Sequence, residues 1–98
     1  MAFMEISVVP VGTASTGVSR YVAEVIKTVE GLGLQYTLHD MGTTVTGEAS
    51  QLWAAARLLH ESPFANGAKR VYTVVKMDDR RDRDVKPGEK TESVKALL

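Results

Sequence analysis

Residues 42–47 are the stretch of this chain best suited to contact a polar molecule, because three threonines lie there between two glycines. β-Branched residues favour strands, in which successive side chains point to opposite faces. Thr44 and Thr46 should therefore share a face that offers hydroxyl donors and acceptors. Such a face suits a solvated sheet surface, a polar contact between subunits or the wall of a small-molecule site.

Two groups of charged residues could also do chemistry, and a structural role is favoured for both. Glu5 and Lys76 would face each other if the first and last strands pair, and a cross-strand ion pair is favoured over contacts to a ligand. Residues 78–84 interleave aspartates with arginines. Because the arginines would neutralise the carboxylates, salt bridges are favoured over a metal site.

The histidines and the tryptophan show no catalytic or metal-binding pattern. His39 and His60 are far apart in sequence and lack a partner at metal-ligand spacing, which favours surface positions for both. Trp53 forms a line with His60 and Phe64 at helical spacing. That line indicates packing against a helix or another subunit more than a stacking platform for a cofactor.

Residues 12–17 superficially resemble a phosphate loop, but they lack its Gly-Lys-Ser/Thr ending. Turn and capping chemistry is therefore favoured over an anion site. No Ser-His-Asp or paired-carboxylate arrangement can be assigned. The chain has no cysteine, which removes thiolate metal sites, redox motifs and cysteine nucleophiles. We expect no catalytic residue, no metal ion and no cofactor. We therefore expect that the protein is not an enzyme.

Alternating apolar residues, the period of a strand, occur in four segments. These segments are 5–9, 34–38, 41–48 and 70–77. Residues 39–42 should turn the second strand into the third, so that the two form a hairpin.

Two further segments show the spacing of amphipathic helices. The first stripe covers 18–32, with Ser15 or Thr16 as its cap, and the second is centred on 52–59, where Pro63 should end or kink the helix. The order is strand, helix, strand, strand, helix, strand. Right-handed crossovers fold this order into an α+β ferredoxin-like sandwich, a four-stranded antiparallel sheet with both helices on one face, followed by a short C-terminal helix.

The composition is that of a globular protein, with 98 residues of which 44% are apolar and 24% are charged. We expect a single domain over 1–98. The net charge is zero and no continuous basic face is evident, so nucleic acid is not an expected partner. No apolar run approaches a membrane span and the first residues lack a signal-peptide pattern. We therefore expect a cytoplasmic protein that does not associate with membranes.

The predicted sheet has one face that neither helix covers. Its expected residues are Glu5, Ser7, Thr43 or Thr44, Tyr72 and Lys76. This mixture is too polar for a core and too apolar in places for a simple solvated surface, so another subunit's sheet is the natural cover. The amphipathic tail, with Val94, Leu97 and Leu98, also needs a neighbour to bury its apolar side chains. We expect a homo-oligomer.

Three motifs stand in an order and with gaps that are known from one family. They are Glu5-Ile6-Ser7-Val8-Val9-Pro10-Val11-Gly12-Thr13, Met41-Gly42-Thr43 and Lys76-Met77-Asp78-Asp79-Arg80-Arg81-Asp82. Over nearly the whole chain they resemble the small thiamine-binding protein family related to YkoF. The resemblance implies a ferredoxin-like fold, dimers that pair into tetramers through their sheets, and binding of thiamine or its hydroxymethylpyrimidine part without an established reaction.

Combining this resemblance with the residues gives a predicted ligand site. The predicted ligand-binding residues are Glu5, Ser7, Tyr36, Met41, Gly42, Thr43 and Thr44. Hydroxyls and exposed backbone would satisfy the donors and acceptors of an aminopyrimidine, and Met41 and Tyr36 would pack on its ring. Glu5 is the nearest partner for a thiazolium cation.

The expected function is non-catalytic binding of thiamine or its pyrimidine moiety, for vitamin transport, storage or sensing. The alternative is a structural or regulatory homo-oligomeric domain that responds to a different small metabolite. An RNA-binding module of this strand order would display aromatics where residues 43–46 carry none. An acylphosphatase-like enzyme would need an arginine between residues 12 and 17, and there is none.

Overall fold

The computed structural model of the chain describes residues 1–98 and contains four strands and three helices. In chain order these are β1 (Ala2–Pro10), α1 (Ser19–Gly31), β2 (Gln35–His39), β3 (Gly42–Gly47), α2 (Ala49–Ala65), β4 (Val71–Asp79) and α3 (Glu89–Lys95). The strands form one antiparallel sheet in the order β2-β3-β1-β4. This is the predicted ferredoxin-like arrangement, including the short C-terminal helix.

The core lies between one face of the sheet and the helices α1 and α2. Strand β1 alternates strictly, and its even-numbered residues from Ala2 to Pro10 are buried. They meet α1 through Val25 and Val29 and α2 through Leu52 and Leu59. Burying such a side chain stabilises the fold by roughly 1.5–3 kcal/mol. The alternation in the sequence therefore fixes which face of β1 is covered.

The helix ends differ from their predictions in two places. The residue capping α1 is Val18, whereas Ser15 lies in the preceding loop, where its Oγ accepts a hydrogen bond from the Gly17 N–H at 3.1 Å. The interpretation of Ser15 or Thr16 as the cap was wrong. Pro63 does not end α2, which continues to Ala65. A proline this close to the end of a helix removes only one N–H donor. The carbonyl groups of the last turn lack a partner within the helix in any case.

The face of the sheet opposite the helices, called the open face below, carries a mixed set of side chains. The strand register arranges them in rows that cross the sheet. The first row contains Gln35, Thr46, Phe3 and Asp78, and the second row contains Thr37, Thr44, Glu5 and Lys76. The third row contains His39, Ser7 and Val74, and Val9 and Tyr72 lie beyond it. Glu5 and Lys76 are neighbours in the second row, and Lys76 Nζ lies 3.7 Å from Glu5 Oε1. This distance confirms the predicted cross-strand ion pair.

Ion pairs run through the chain after β4, but only some of them reach the rest of the protein. Lys90 pairs with Asp78 and Arg81 with Asp79 of β4, whereas the pairs of Arg80 with Asp82 and of Arg83 with Glu89 lie within the segment itself. This confirms the interpretation of residues 78–84 as a salt-bridge segment. Val85 is buried, but α3 buries none of its residues. The segment thus adds little to the apolar core.

Candidate functional site

A groove of about 490 Å³ lies between the open face and the C-terminal segment. Its floor is the first two rows of the open face, and its other wall is formed by residues 86–91. The second row crosses all four strands and presents two hydroxyls, a carboxylate and an ammonium group side by side. The floor residues of that row are Thr37, Thr44, Glu5 and Lys76. Strand pairing fixes their spacing, because side chains directly opposite each other lie about 5 Å apart.

The wall over this floor is positioned by Lys90 at the start of α3. Its ammonium pairs with the Asp78 carboxylate and lies 5.6 Å from the centroid of the Phe3 ring. Before the helix, the backbone N–H of Lys86 donates to Glu89 Oε2 at 2.8 Å. That hydrogen bond is the main cause of the lowered pKa of the Glu89 carboxyl, and the charge of Arg83 acts in the same direction.

The groove contains charges of both signs. Glu5 and Asp78 supply carboxylates, and Lys76, Lys86 and Lys90 supply ammonium groups. At the end of the groove His39 Nε2 lies 3.1 Å from Thr44 Oγ1, so imidazole and hydroxyl share a hydrogen bond. The site therefore offers a polar ligand a cation partner, an anion partner and neutral hydrogen-bonding groups within two strand rows.

The structure brings together some of the predicted site residues. Glu5 and Thr44 are neighbours on the groove floor. Gly42 adjoins them, since a Cβ at this position would lie 3.6 Å from Glu5 Cγ and 3.1 Å from the Ile6 carbonyl oxygen. Ser7 occupies the same face one row further on, outside the groove lining. These four residues form a continuous patch.

Other predicted site residues are separated from that patch. Thr43 points to the helix-covered face and is only 3% exposed. The expectation that Thr43 and Thr44 serve one ligand was therefore wrong, because successive strand residues face opposite ways. Met41 lies in the hairpin turn with 88% of its surface exposed, away from the groove lining.

Tyr36 borders the groove, but its side chain is engaged elsewhere. It packs against the core cluster, and its hydroxyl donates to Glu30 Oε1 at 3.0 Å. This hydrogen bond to a carboxylate raises the pKa of the Tyr36 phenol. The ring does not lie on the open face, so it is not placed to stack on a ligand there.

Most of the residues that line the groove were not predicted from the sequence as ligand contacts. Thr37 and His39 alternate on β2 with Tyr36 and Leu38, which face the other side of the sheet, so the period of that strand could have revealed them. Lys86 and Lys90 come from the C-terminal segment, and only the fold brings them over the floor. No periodicity in the sequence indicates that placement.

Comparison with known proteins assigns the chain to a family. The sequence profile of a family described as thiamine-binding protein matches residues 4–95. The chain belongs to this family. It is 41% identical to the UPF0045 protein YqgV of Bacillus subtilis, with all of this chain and 98% of the relative covered. It is also 41% identical to a UPF0045 protein of Methanothermobacter thermautotrophicus over the full length of both chains.

Solved structures agree with this assignment. A hypothetical protein from Methanocaldococcus jannaschii superposes with a TM-score of 0.84 at 26% identity, covering 96% of this chain and 95% of the other. A Thermotoga maritima protein, described as a candidate for thiamine biosynthesis or salvage, has a TM-score of 0.77 at 20% identity, with coverages of 95% and 97%. The second likeness shows the fold alone.

The whole chain was compared with the requirements of a membrane-spanning helix and of a metal site. None of the helices combines the length and the apolar character required to cross a lipid bilayer. No three histidine, aspartate or glutamate side chains are grouped so that they could hold a metal ion. The groove is a concavity that contains several kinds of polar group.

Proposed function

We propose that this protein binds thiamine, or its hydroxymethylpyrimidine moiety, in the groove and does not convert it chemically. The observation that carries the proposal is the second row of the groove floor, where Glu5 stands between Thr44 and Lys76 in a chain of the thiamine-binding family. A carboxylate beside hydroxyls suits a ligand that combines a cationic ring with a hydrogen-bonding heteroaromatic ring.

Each half of thiamine has a complementary group on the floor. The aminopyrimidine needs both donors and acceptors along its edge, and Thr37, Thr44 and His39 provide both kinds. The thiazolium carries a fixed positive charge, which Glu5 can balance once its loose pair with Lys76 opens. Gly42 leaves space beside Glu5 that any larger residue would narrow.

The way the potential nucleophile is held supports the proposal of binding without turnover. In the groove the Thr44 hydroxyl lies beside the imidazole of His39, but no carboxylate or carbonyl holds the other ring nitrogen of His39. A hydroxyl beside an imidazole is activated when a third group orients that imidazole. We therefore propose transport, storage or sensing of the vitamin in the cytoplasm, and no catalytic step.

Isothermal titration calorimetry with thiamine and with hydroxymethylpyrimidine tests binding, and mass spectrometry of the ligand after prolonged incubation tests turnover. We expect saturable binding of at least one ligand, with the ligand recovered unchanged. Binding to the folded state also raises the melting temperature. Absence of binding to both ligands would refute the proposed ligand, and a protein-dependent cleaved or phosphorylated product would refute the non-catalytic role.

We also propose that the protein works as a homotetramer, a dimer of dimers. The support is the half of the open face beyond the groove, where Val9, Tyr72 and Val74 are 37%, 64% and 40% exposed. These residues adjoin one another in the register of β1 and β4. An apolar patch on a bare sheet is suited to packing against the same patch of another copy.

A further inference from the structure

The groove carries one more positive charge than negative charges. Its lining includes the ammonium groups of Lys76, Lys86 and Lys90 and the carboxylates of Glu5 and Asp78. Lys76 pairs with Glu5, and Lys90 pairs with Asp78. Lys86 is left over, because its ammonium group makes no salt bridge within the chain. The groove therefore contains a cation that no side chain of the protein balances.

The backbone that carries the Lys86 side chain is held in place. The preceding residue, Val85, is buried. The N–H of Lys86 donates to Glu89 Oε2 at 2.8 Å, and the carbonyl of Lys86 accepts from the Glu89 N–H at 3.1 Å. The Glu89 carboxylate is engaged by this N–H and by Arg83, whose Nη1 lies 3.3 Å from Glu89 Oε1. The Lys86 side chain thus starts from a fixed point on the groove wall, and its ammonium group stays available to a ligand.

Thiamine alone would increase the excess of positive charge in the groove. Its thiazolium ring is a permanent cation, and the proposed function places this ring at Glu5. A cation at Glu5 takes that carboxylate from Lys76, so that the ammonium groups of Lys76 and Lys86 both lack a partner. Like charges in one small site repel each other, and solvent screens this repulsion only in part. Thiamine therefore matches one charge of the groove and leaves two others unbalanced.

We propose that the groove binds a phosphate monoester of thiamine in preference to thiamine itself, with the phosphoryl group at Lys86. This inference rests on the proposed thiamine-binding function and narrows its ligand. A phosphate monoester carries a charge of about −1.5 to −2 at neutral pH, together with three acceptor oxygens. This charge balances the two ammonium groups that lack a partner when the thiazolium lies at Glu5. An ammonium group binds phosphate as a point charge, so it needs no fixed planar geometry.

The positions of Glu5 and the groove wall suit a ligand of this shape. Glu5 lies in the second row of the open face, and the wall meets the sheet at the first row, where Lys90 pairs with Asp78 and lies over the Phe3 ring. Neighbouring rows are two residues, or about 7 Å, apart along a strand. In the phosphate ester a two-carbon arm joins the thiazolium ring to the phosphoryl oxygen. The phosphoryl group can therefore extend from the second row towards residues 86–91 within the groove.

Isothermal titration calorimetry with thiamine monophosphate, thiamine and inorganic phosphate tests this preference. We expect the monophosphate to bind about three- to tenfold more tightly than thiamine, because its phosphoryl group meets exposed ammonium groups. High salt should reduce the difference, since screening weakens charge pairs. Inorganic phosphate should bind more weakly than either ligand. Inorganic phosphate that binds as tightly as the monophosphate would overturn the proposal, because the thiamine part would then contribute nothing.

Lys86→Gln is the test variant, and Lys69→Gln is its matched control. Lys69 makes no salt bridge and does not line the groove, so each variant loses one unpaired positive charge. We expect Lys86→Gln to weaken binding of the monophosphate about two- to fivefold and not to weaken binding of thiamine. Lys86→Arg retains the charge and should retain most of the preference. Equal losses for Lys86→Gln and Lys69→Gln would overturn the placement of the phosphoryl group.

The same titrations separate this inference from the proposed function. If thiamine binds and the monophosphate binds no more tightly, the inference is wrong and the thiamine-binding proposal stands. If thiamine, hydroxymethylpyrimidine and thiamine monophosphate all fail to bind, the proposed function is wrong and the inference fails with it.

Discussion

Glu5 and Thr44 lie directly opposite each other on β1 and β3, and both line the groove. The pairing places a carboxylate and a hydroxyl at the separation that strand register dictates, without any loop to position them. On the other side of Glu5, Lys76 completes the row. The chemistry of the site is thus fixed by the same hydrogen bonds that hold the sheet together.

The contribution of the Thr44 hydroxyl to ligand binding can be measured by comparison with the buried Thr43. We expect Thr44→Val to weaken thiamine binding by about 1–2 kcal/mol, roughly tenfold, because a ligand partner loses its hydrogen bond while the side chain keeps its shape. Thr43→Val is the matched control, since Thr43 points to the opposite face. Calorimetry should show little change for Thr43→Val. Equal losses for the two variants would place the ligand elsewhere.

The Glu5–Lys76 pair predicts opposite effects of two substitutions. Glu5→Gln removes the partner of the thiazolium and should weaken binding, whereas Lys76→Met frees the Glu5 carboxylate and should strengthen it. Both groups are solvent-exposed, so each effect should be about 0.5–1 kcal/mol, or two- to fivefold in affinity. Titrations at low and high salt provide the check, because screening should shrink both effects. Changes of the same sign would contradict this placement of the cation.

The ion pairs after β4 predict the behaviour of the protein in acid. The hydrogen bond from Arg80 lowers the pKa of Asp82 from 3.8 to about 2. A lowered pKa in the folded state means that the pair stabilises the segment above about pH 4 and that this contribution is lost as the pH falls through about 2. Arg80→Gln should raise the Asp82 midpoint towards its ordinary value in an NMR titration of the carboxyl carbons.

Arg81→Gln is the control for that titration. The hydrogen bond from Arg81 lowers the pKa of Asp79, so this variant should raise the Asp79 midpoint and leave that of Asp82 nearly unchanged. If Arg80→Gln leaves the midpoint of Asp82 where it was, the two side chains are not paired in solution.

Two adjacent leucines of α2 test where the core lies. Leu59 is fully buried, whereas Leu58 is 42% exposed. We expect Leu59→Ala to lower the free energy of unfolding by about 2–5 kcal/mol through lost burial and a cavity. Leu58→Ala should cost under about 1 kcal/mol. Urea denaturation at one protein concentration measures both, and similar losses would contradict the packing of α2.

Assembly through the open face predicts that Tyr72→Asp reduces the size of the particle. A carboxylate at this position would be buried without a partner wherever two open faces meet. Analytical ultracentrifugation should show the tetramer replaced by a smaller species, while circular dichroism shows the fold intact. Lys27→Asp on α1, far from that face, is the control and should leave the size unchanged.

Much of the fold could be predicted because its signals are local. The alternation of β1 and the stripe of α1 fix the element types and their covered faces, and the resulting order permits few topologies. The Glu5–Lys76 pair followed from that topology alone. Pro63 was expected to end or kink the helix, and the structure contradicts the ending, because the cost of a proline depends on its position within the helix and α2 continues to Ala65.

The groove was only partly predictable. Its floor belongs to the sheet, so residues such as Thr44 carry a periodic signal. Thr43 was included as part of the Met41-Gly42-Thr43 motif, although the period of the strand places it on the opposite face from Thr44. Its wall depends on the placement of residues 86–91, which the pairing of Lys90 with Asp78 helps to fix. Contacts between exposed charges distant in sequence leave no periodic trace, so the wall could not be inferred.

The helix α3 forms one side of the groove but buries none of its own side chains. It contacts the sheet through Lys90, which forms an exposed ion pair with Asp78 and lies over the Phe3 ring, and exposed ion pairs contribute little. The floor, by contrast, cannot change register without exposing the core behind it. The two sides of the groove should therefore differ in their tolerance of substitution. Exposed side chains of residues 86–91 should accept replacements at little cost in folding free energy, whereas a change that shifts the register of the floor strands should be costly.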